Sequence, residues 1–363
     1  MKISICGDLC PMYVSDLFER GDVVELFGDV TAEFENSDCV IVNLECALTD
    51  SERKIKKIGP NLKASPRCAE LLKKIGVTDC ALANNHVYDY GVQGLTDTIN
   101  AVSGAGLRFT GIGENENAAR RNLIISLGSK KIAVINVCEH EYCYALEGRM
   151  GTRAFDVFDT MEDIRAAKAE NDFVIVLYHG GKEQSVYPSP RLRRACRSMV
   201  KCGADAVLCQ HSHCIGCFEE FMGGKILYGQ GNFHFRGLYD EHPHWQSGLI
   251  VQLEIDDELH MSFVPVVVRG DFGIELAKGR RRTEIMEEFE KRCADLSSDR
   301  WLEGWRSFCG ENAEKYFSVI RKAYADDAGF DENEMFAHYL RCEAHLDVWN
   351  ELCRLSWETR KEA

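Results

Sequence analysis

Two histidines, His211 and His213, stand one residue apart in LCQHSHCIGC (208–217), with Cys209, Cys214 and Cys217 around them. Two metal chemistries suit these residue types: a structural zinc knuckle, or one edge of a catalytic centre. The rest of the chain decides which, because a catalytic centre needs further ligands. Several apolar runs end on such groups. ISICG runs into Asp8, VIVN into Asn43 and Glu45, and CALA into Asn84, Asn85 and His86; FVIVLY ends at His179 and AVLCQ at His211 and His213. Carboxylate mixed with imidazole suits a hard-to-borderline cation, manganese, iron or zinc. Each residue also has a plain explanation. An Asp after a strand commonly forms a turn or caps a helix, and Asn-Asn-His can be a turn tolerant of left-handed backbone. It is the joint pattern, with five strand ends finishing in ligand types, that points to a site.

These groups must be positioned by the apolar runs that precede them. Strand-length runs alternate with amphipathic helix-length segments as far as DAVLCQ (205–210), and several strands are apolar throughout, as expected when both faces are covered. The alternation predicts an α/β fold: layered sheets flanked by helices, joined by right-handed crossovers. Beyond 217, CFEEFMGGKILYGQG predicts a hairpin turning at Gly223-Gly224, and GLIVQLEID and LHMSFVPVVV add two β runs. From about 280 the chain becomes helical and charged. The division expected is a core domain over 1–278 and a helical C-terminal extension over 279–363. Trp301, Trp305, Phe308, Tyr316, Phe317, Tyr339, Trp349 and Trp357 in the extension require cover, so it is expected to dock on the core or on a second subunit, giving a homo-oligomer through these helices.

Composition narrows the function. A formal net charge of −15 argues against a nucleic-acid partner, which needs a basic footprint. No run of eighteen apolar residues predicts a membrane span, and the opening MKISICGDLC does not read as a signal peptide. The 17 cysteines, many inside apolar runs, then read as reduced, buried packing residues of a cytoplasmic protein.

The order Asp, Asn-x-Glu, Asn-Asn-His, His-Gly, His-x-His resembles the calcineurin-like metallophosphoesterase superfamily. The segments ICGDLCP (5–11), NLECALTD (43–50), LANNHVYDYG (82–91), LYHGG (177–181), HSH (211–213) and ILYGQGNF (226–233) are similar to its CapA-like branch, named for poly-γ-glutamate capsule synthesis. The resemblance spans residues 3 to about 235 and implies a metallophosphoesterase-like sheet sandwich carrying two divalent metal ions. It makes Glu45 the bridging carboxylate, Asp8 and His213 ligands of one metal, and Asn85, His179 and His211 ligands of the other. His86 would stand beside the centre as the acid, with Asp89 orienting its ring. Two such cations hold one hydroxide between them and neutralise the oxygens of an in-line phosphoryl displacement. The expected activity is therefore phosphoester hydrolysis of a small anionic or polymer-derived substrate. Amide hydrolysis of a γ-glutamyl or peptide-like bond is the alternative at the same metals, and a non-catalytic scaffold in surface-polymer assembly is the alternative of another class.

Where the superfamily commonly has a histidine two residues after the first Asp, this chain has Cys10, which its neighbours assign to packing. On this reading His211 and His213 both reach the centre through a bend at Ser212, and the flanking cysteines pack. Weaker candidates are Asn43 as a support for Glu45, Lys63, Lys182, Arg149 and Arg153 as anion binders, and His140, His234, His242 and His244 at the pocket rim or in loops. Asn232 is expected to fix a turn beneath the metals.

Overall fold

The computed structural model describes residues 1–237, 242–270 and 272–361, with side chains as far as 355. Trp357 therefore lies outside the described side chains. Two sheets dominate the core. In the first, Lys2–Cys10, Cys39–Leu44, Asp79–Ala81 and Arg108–Thr110 run parallel and side by side. The antiparallel strands Ser247–Ile255, Leu259–Arg269 and Gly273–Leu276 extend it on the other side. In the second, Lys130–Cys138, Phe173–His179, Ala206–Gln210 and Gly224–Leu227 are parallel, with Leu123–Leu127 and Phe218–Phe221 antiparallel at its edges. The predicted hairpin is Phe218–Phe221 with Gly224–Leu227, and its turn falls at Met222-Gly223, both with positive φ.

The sheets pack face to face. Ile3, Ile5 and Ile41 of the first meet Ile132, Ile175 and Leu208 of the second in one continuous aliphatic layer. Helices cover the outer faces: Cys68–Lys74 and Gly91–Gly104 against the first sheet, Val157–Glu170 and Pro190–Lys201 against the second. Strands such as Cys39–Leu44 and Phe173–His179 are buried at every residue because each has a layer on both sides. The result is the expected α/β sandwich flanked by helices. Because the central strands of both sheets are parallel, their carboxyl ends gather at one edge, where functional groups of such folds collect.

The extension forms five helices between Gly279 and Lys361. Ile285 and Phe289 of the first join the inter-sheet layer, and Trp301 packs with the helices of the second sheet. Trp305, Tyr316, Tyr339, Val348 and Leu352 then build a core of their own. Polar contacts pin this unit to the α/β domain. Asp347 accepts from Arg191 Nε at 2.9 Å and from Ser189 Oγ at 2.5 Å, while Glu343 accepts from the His140 amide at 2.7 Å. Trp305 is completely buried. Trp305→Ala is expected to destabilise the protein by about 3–5 kcal/mol, the usual cost of emptying a large core site. Chemical denaturation of wild type and variant checks this; a loss under about 1 kcal/mol would show that the helical core does not unfold with the rest.

Candidate metal centre

The local backbone explains how each group is presented. Asp8 lies near the end of Lys2–Cys10, where the pairing register shifts on both sides of the residue. Gly7 is needed there: a Cβ would sit 2.1 Å from the Gly231 carbonyl oxygen. Glu45 follows Cys39–Leu44, its amide donating to Leu9 O at 2.8 Å. In the loop after Asp79–Ala81, Asn84 Oδ1 accepts from the amides of His86 and Val87, and its Nδ2 donates to Leu44 O at 2.8 Å. The first asparagine of the pair thus shapes the turn, and Asn85 and His86 are presented by it. His179 ends Phe173–His179. After Ala206–Gln210, His211 (φ 84°) and His213 (φ 52°) both occupy left-handed backbone. The bend expected at Ser212 is therefore made by the histidines on either side. Non-glycine residues held there carry strain, and such strain concentrates at functional sites.

These elements bring Asp8, Glu45, Asn85, His179, His211 and His213 together, all nearly or wholly buried. The ligand atoms form two groups, Asp8–Glu45–His213 and Glu45–His179–His211, each with members within 4.8 Å of one another. Glu45 belongs to both, and no cysteine belongs to either. His179 Nε2 lies 2.9 Å from Asn85 Oδ1 and 3.5 Å from Glu45 Oε1. His213 Nδ1 is 2.8 Å from Asn232 Oδ1, which leaves Nε2, 3.9 Å from Glu45 Oε1, as the nitrogen with a lone pair to offer. Asn43 donates to Asp8 Oδ1 at 2.7 Å and lies 3.2 Å from His179 Nδ1, tying the two sheets' ligands together. Asn232 opens the strand Asn232–Phe235 and steadies His213 as well as the turn.

Both Glu45 carboxylate oxygens are buried without a hydrogen-bond partner, as is His211 Nδ1. Burial, and then the neighbouring Asp8, push the Glu45 carboxyl well above its usual range. Burial likewise pulls His179 down to about 3 and His211 well below its ordinary value. His213 is different: burial pulls it down, but Glu45 and Asp8 outweigh burial and leave it raised. A buried carboxylate with no donor is costly. Cations between these groups would supply what the protein does not, so the residues fit a pair of divalent metals.

His86 and Asp89 stand beside this cluster. His86 Nδ1 is 2.7 Å from Asp89 Oδ2 and 3.2 Å from Lys57 Nζ. The shorter contact assigns the Nδ1 proton to the carboxylate bond and leaves Nε2 free. Asp89 is completely buried and also accepts from the Leu62 amide at 2.7 Å and Lys57 Nζ at 2.5 Å. Burial and the Lys57 charge hold His86 below its ordinary value, against the pull of Asp89. Nothing in KIKKIGPNLK singles out Lys57 from the lysines around it, yet its side chain is only 3% exposed. Lys57→Met would leave the buried Asp89 carboxylate without its lysine partner. It is expected to cost about 3–5 kcal/mol of stability, checked by denaturation; a change under about 1 kcal/mol would show that this pair does not bear on the fold.

The remaining candidates divide. Lys182 lines the cavity over the cluster. Arg153 is buried in ion pairing with Asp163, and Lys63 pairs with Glu52. Arg149 donates to Tyr144 O, while His140 packs its ring on Tyr144. His234 donates to Phe272 O, and His242 accepts from the His244 amide, so both serve local structure. Cys10 packs beside Cys46 and is buried, as are Cys209, Cys214 and Cys217. Sequence reasoning missed Lys57, Trp245, whose ring centroid is 4.1 Å from that of His213, and the extension residues that reach the cavity.

A two-sheet α/β sandwich with a carboxylate shared between two histidine-containing groups defines the class as a layered α/β protein with a candidate metal centre. Residues 2–236 match the family model described as bacterial capsule synthesis protein PGA_cap, and the chain belongs to that family, the CapA-like branch. The capsule biosynthesis protein CapA of Bacillus anthracis is 29% identical over 245 residues, 65% of this chain and 60% of that protein. The PGA biosynthesis protein CapA of Bacillus subtilis is 28% identical over 242 residues, 65% of this chain and 63% of its own length. The matches thus span less than two thirds of these relatives. Among solved structures, a 5'-nucleotidase from Candida albicans is similar over 86% of this chain and 57% of its own, at 8% identity and a TM-score of 0.40, a loose likeness. Among the described residues, no helix is long and apolar enough to cross a membrane.

Proposed function

We propose that this chain is a dinuclear-metal hydrolase acting on phosphoesters. The observation that carries the reading is Glu45: a completely buried carboxylate, both oxygens unpartnered, shared by two ligand groups. Asp8, Glu45 and His213 would hold one cation, and Glu45, Asn85, His179 and His211 the other. Bound there, two cations supply a Lewis-acidic clamp on phosphoryl oxygens and an activated water. Of the chain's own groups, His86 moves the proton. Its Nδ1–H is held by Asp89, so its Nε2 exchanges a proton with the leaving oxygen, and Asp89 stabilises the ring when it is charged. Lys57 pairs with Asp89 and holds it in place. Asn43 and Asn232 orient the ligands from behind.

The test is turnover by metal-reconstituted protein on phosphomonoester, phosphodiester and γ-glutamyl substrates. Phosphoester hydrolysis that scales with bound metal is expected. Cleavage of the γ-glutamyl substrate alone would replace this reading with the amide hydrolase. The family's name favours a second reading, a role in surface-polymer synthesis without catalysis, and absence of turnover on every substrate would select it.

A further inference from the structure

Asn85, His211 and His213 of the cluster, with His86 beside them, line a cavity of about 480 Å³, and the C-terminal helices contribute Asn312, Lys315, His338, Tyr339 and His345 to its lining. The family match ends at residue 236, so this wall comes from residues beyond the matched segment. It is firmly held, because Glu343 and Asp347 are bonded to the core at His140, Ser189 and Arg191. Stacked rings stiffen it further: Tyr339 and His345 lie 3.9 Å apart, and His345 Nδ1 is 2.7 Å from the Tyr316 hydroxyl.

The charges in this enclosure are unevenly matched. Lys57 is committed to the buried Asp89. Lys182 Nζ lies 3.9 Å from Glu183, and Glu183 and Glu141 are the carboxylates that line the same cavity. Among the described residues, Lys315 has no carboxylate within ion-pair distance, although it lines the same cavity. We propose that the extension sets the substrate class of this site: a small molecule with two anionic groups, one at the metal-ligand cluster and the second received by Lys182 of the core and Lys315 of the extension. This deepens the hydrolase reading and rests on it. A phosphoryl group at the cluster has its charge met by the cations there, so the two lysines remain for another anion. Burial and the nearby Lys182 pull the Lys315 ammonium below its ordinary value, against the opposing charge of Glu183. A cavity of this size admits a whole small molecule.

The test is calorimetric titration of the full-length, metal-reconstituted protein with phosphonoacetate, which has two anionic groups, and methylphosphonate, which has one. Neither is hydrolysed, so loss of turnover on phosphoesters would sink the hydrolase reading and leave this result standing. Wild type is expected to bind phosphonoacetate at least about tenfold tighter than methylphosphonate, the scale of one charge-assisted contact. Lys315→Gln and Lys182→Gln should each remove most of that preference with methylphosphonate affinity within about twofold of wild type, and Lys315→Arg should keep it. Equal binding of the two probes by wild type would overturn the proposal. So would a Lys315→Gln variant that weakens both probes alike, since that is the action of a diffuse field and not of a second subsite.

Discussion

Glu45→Gln should empty both metal positions. The substitution keeps the side chain's size and removes the one charge that two cations share. Metal affinity depends on that charge, so content should fall from two ions per chain toward none, and any turnover should fall with it. The same change should leave the metal-free protein no less stable. In its absence of donors, the ionised Glu45 carboxylate is a burden on the fold, made worse by Asp8 nearby. Elemental analysis after dialysis and thermal denaturation of the chelated protein read these effects separately. A variant that retains two metals at unchanged affinity would remove Glu45 from its bridging role.

His86→Ala should have the opposite signature, with metals kept and rate lost. The ring lies beside the cluster and is held through Nδ1 by Asp89, so its removal takes away a proton carrier and no ligand. A positioned acid–base group typically contributes roughly 10²–10⁴-fold, and kcat should drop within that range on a phosphoester with a poor leaving group. An activated aryl phosphate, whose leaving oxygen needs no proton, should be spared most of the loss. Loss of metal on this substitution would show that His86 is a ligand, and equal losses on both substrates would show that it does not protonate the leaving group.

The sandwich was legible because its strands are apolar at every position, which happens only when both faces are covered. Asp8, Glu45, Asn85, His86, His179, His211 and His213 could be picked out because each follows such a run, at the edge where parallel strands end. Three features could not be read this way. Lys57 sits in a lysine-rich loop, and only the fold shows that this one ammonium is buried against Asp89. The left-handed backbone at His211 and His213 follows from how the loop is anchored, including the bond from Gln184 N to Ser212 O at 2.8 Å, and residue types alone place the bend elsewhere. The extension's aromatic residues say that it must be covered; helical periodicity does not say that the surface it meets includes the cavity lined by Asn85, His211 and His213.

The six residues brought together divide evenly between the sheets: Asp8, Glu45 and Asn85 lie at or just beyond strand ends of the first, and His179, His211 and His213 at or just beyond strand ends of the second. The aliphatic layer between the sheets is thus the gauge block that sets how far apart the two half-sites stand. Packed interiors transmit a change of one methylene group rather than absorbing it. Ile5, Ile41, Ile175 and Leu208, which touch no ligand, are in this sense part of the tolerance of the centre. A relative could retune or silence the same set of polar residues by re-dimensioning its hydrophobic core, with every residue of the motif left in place.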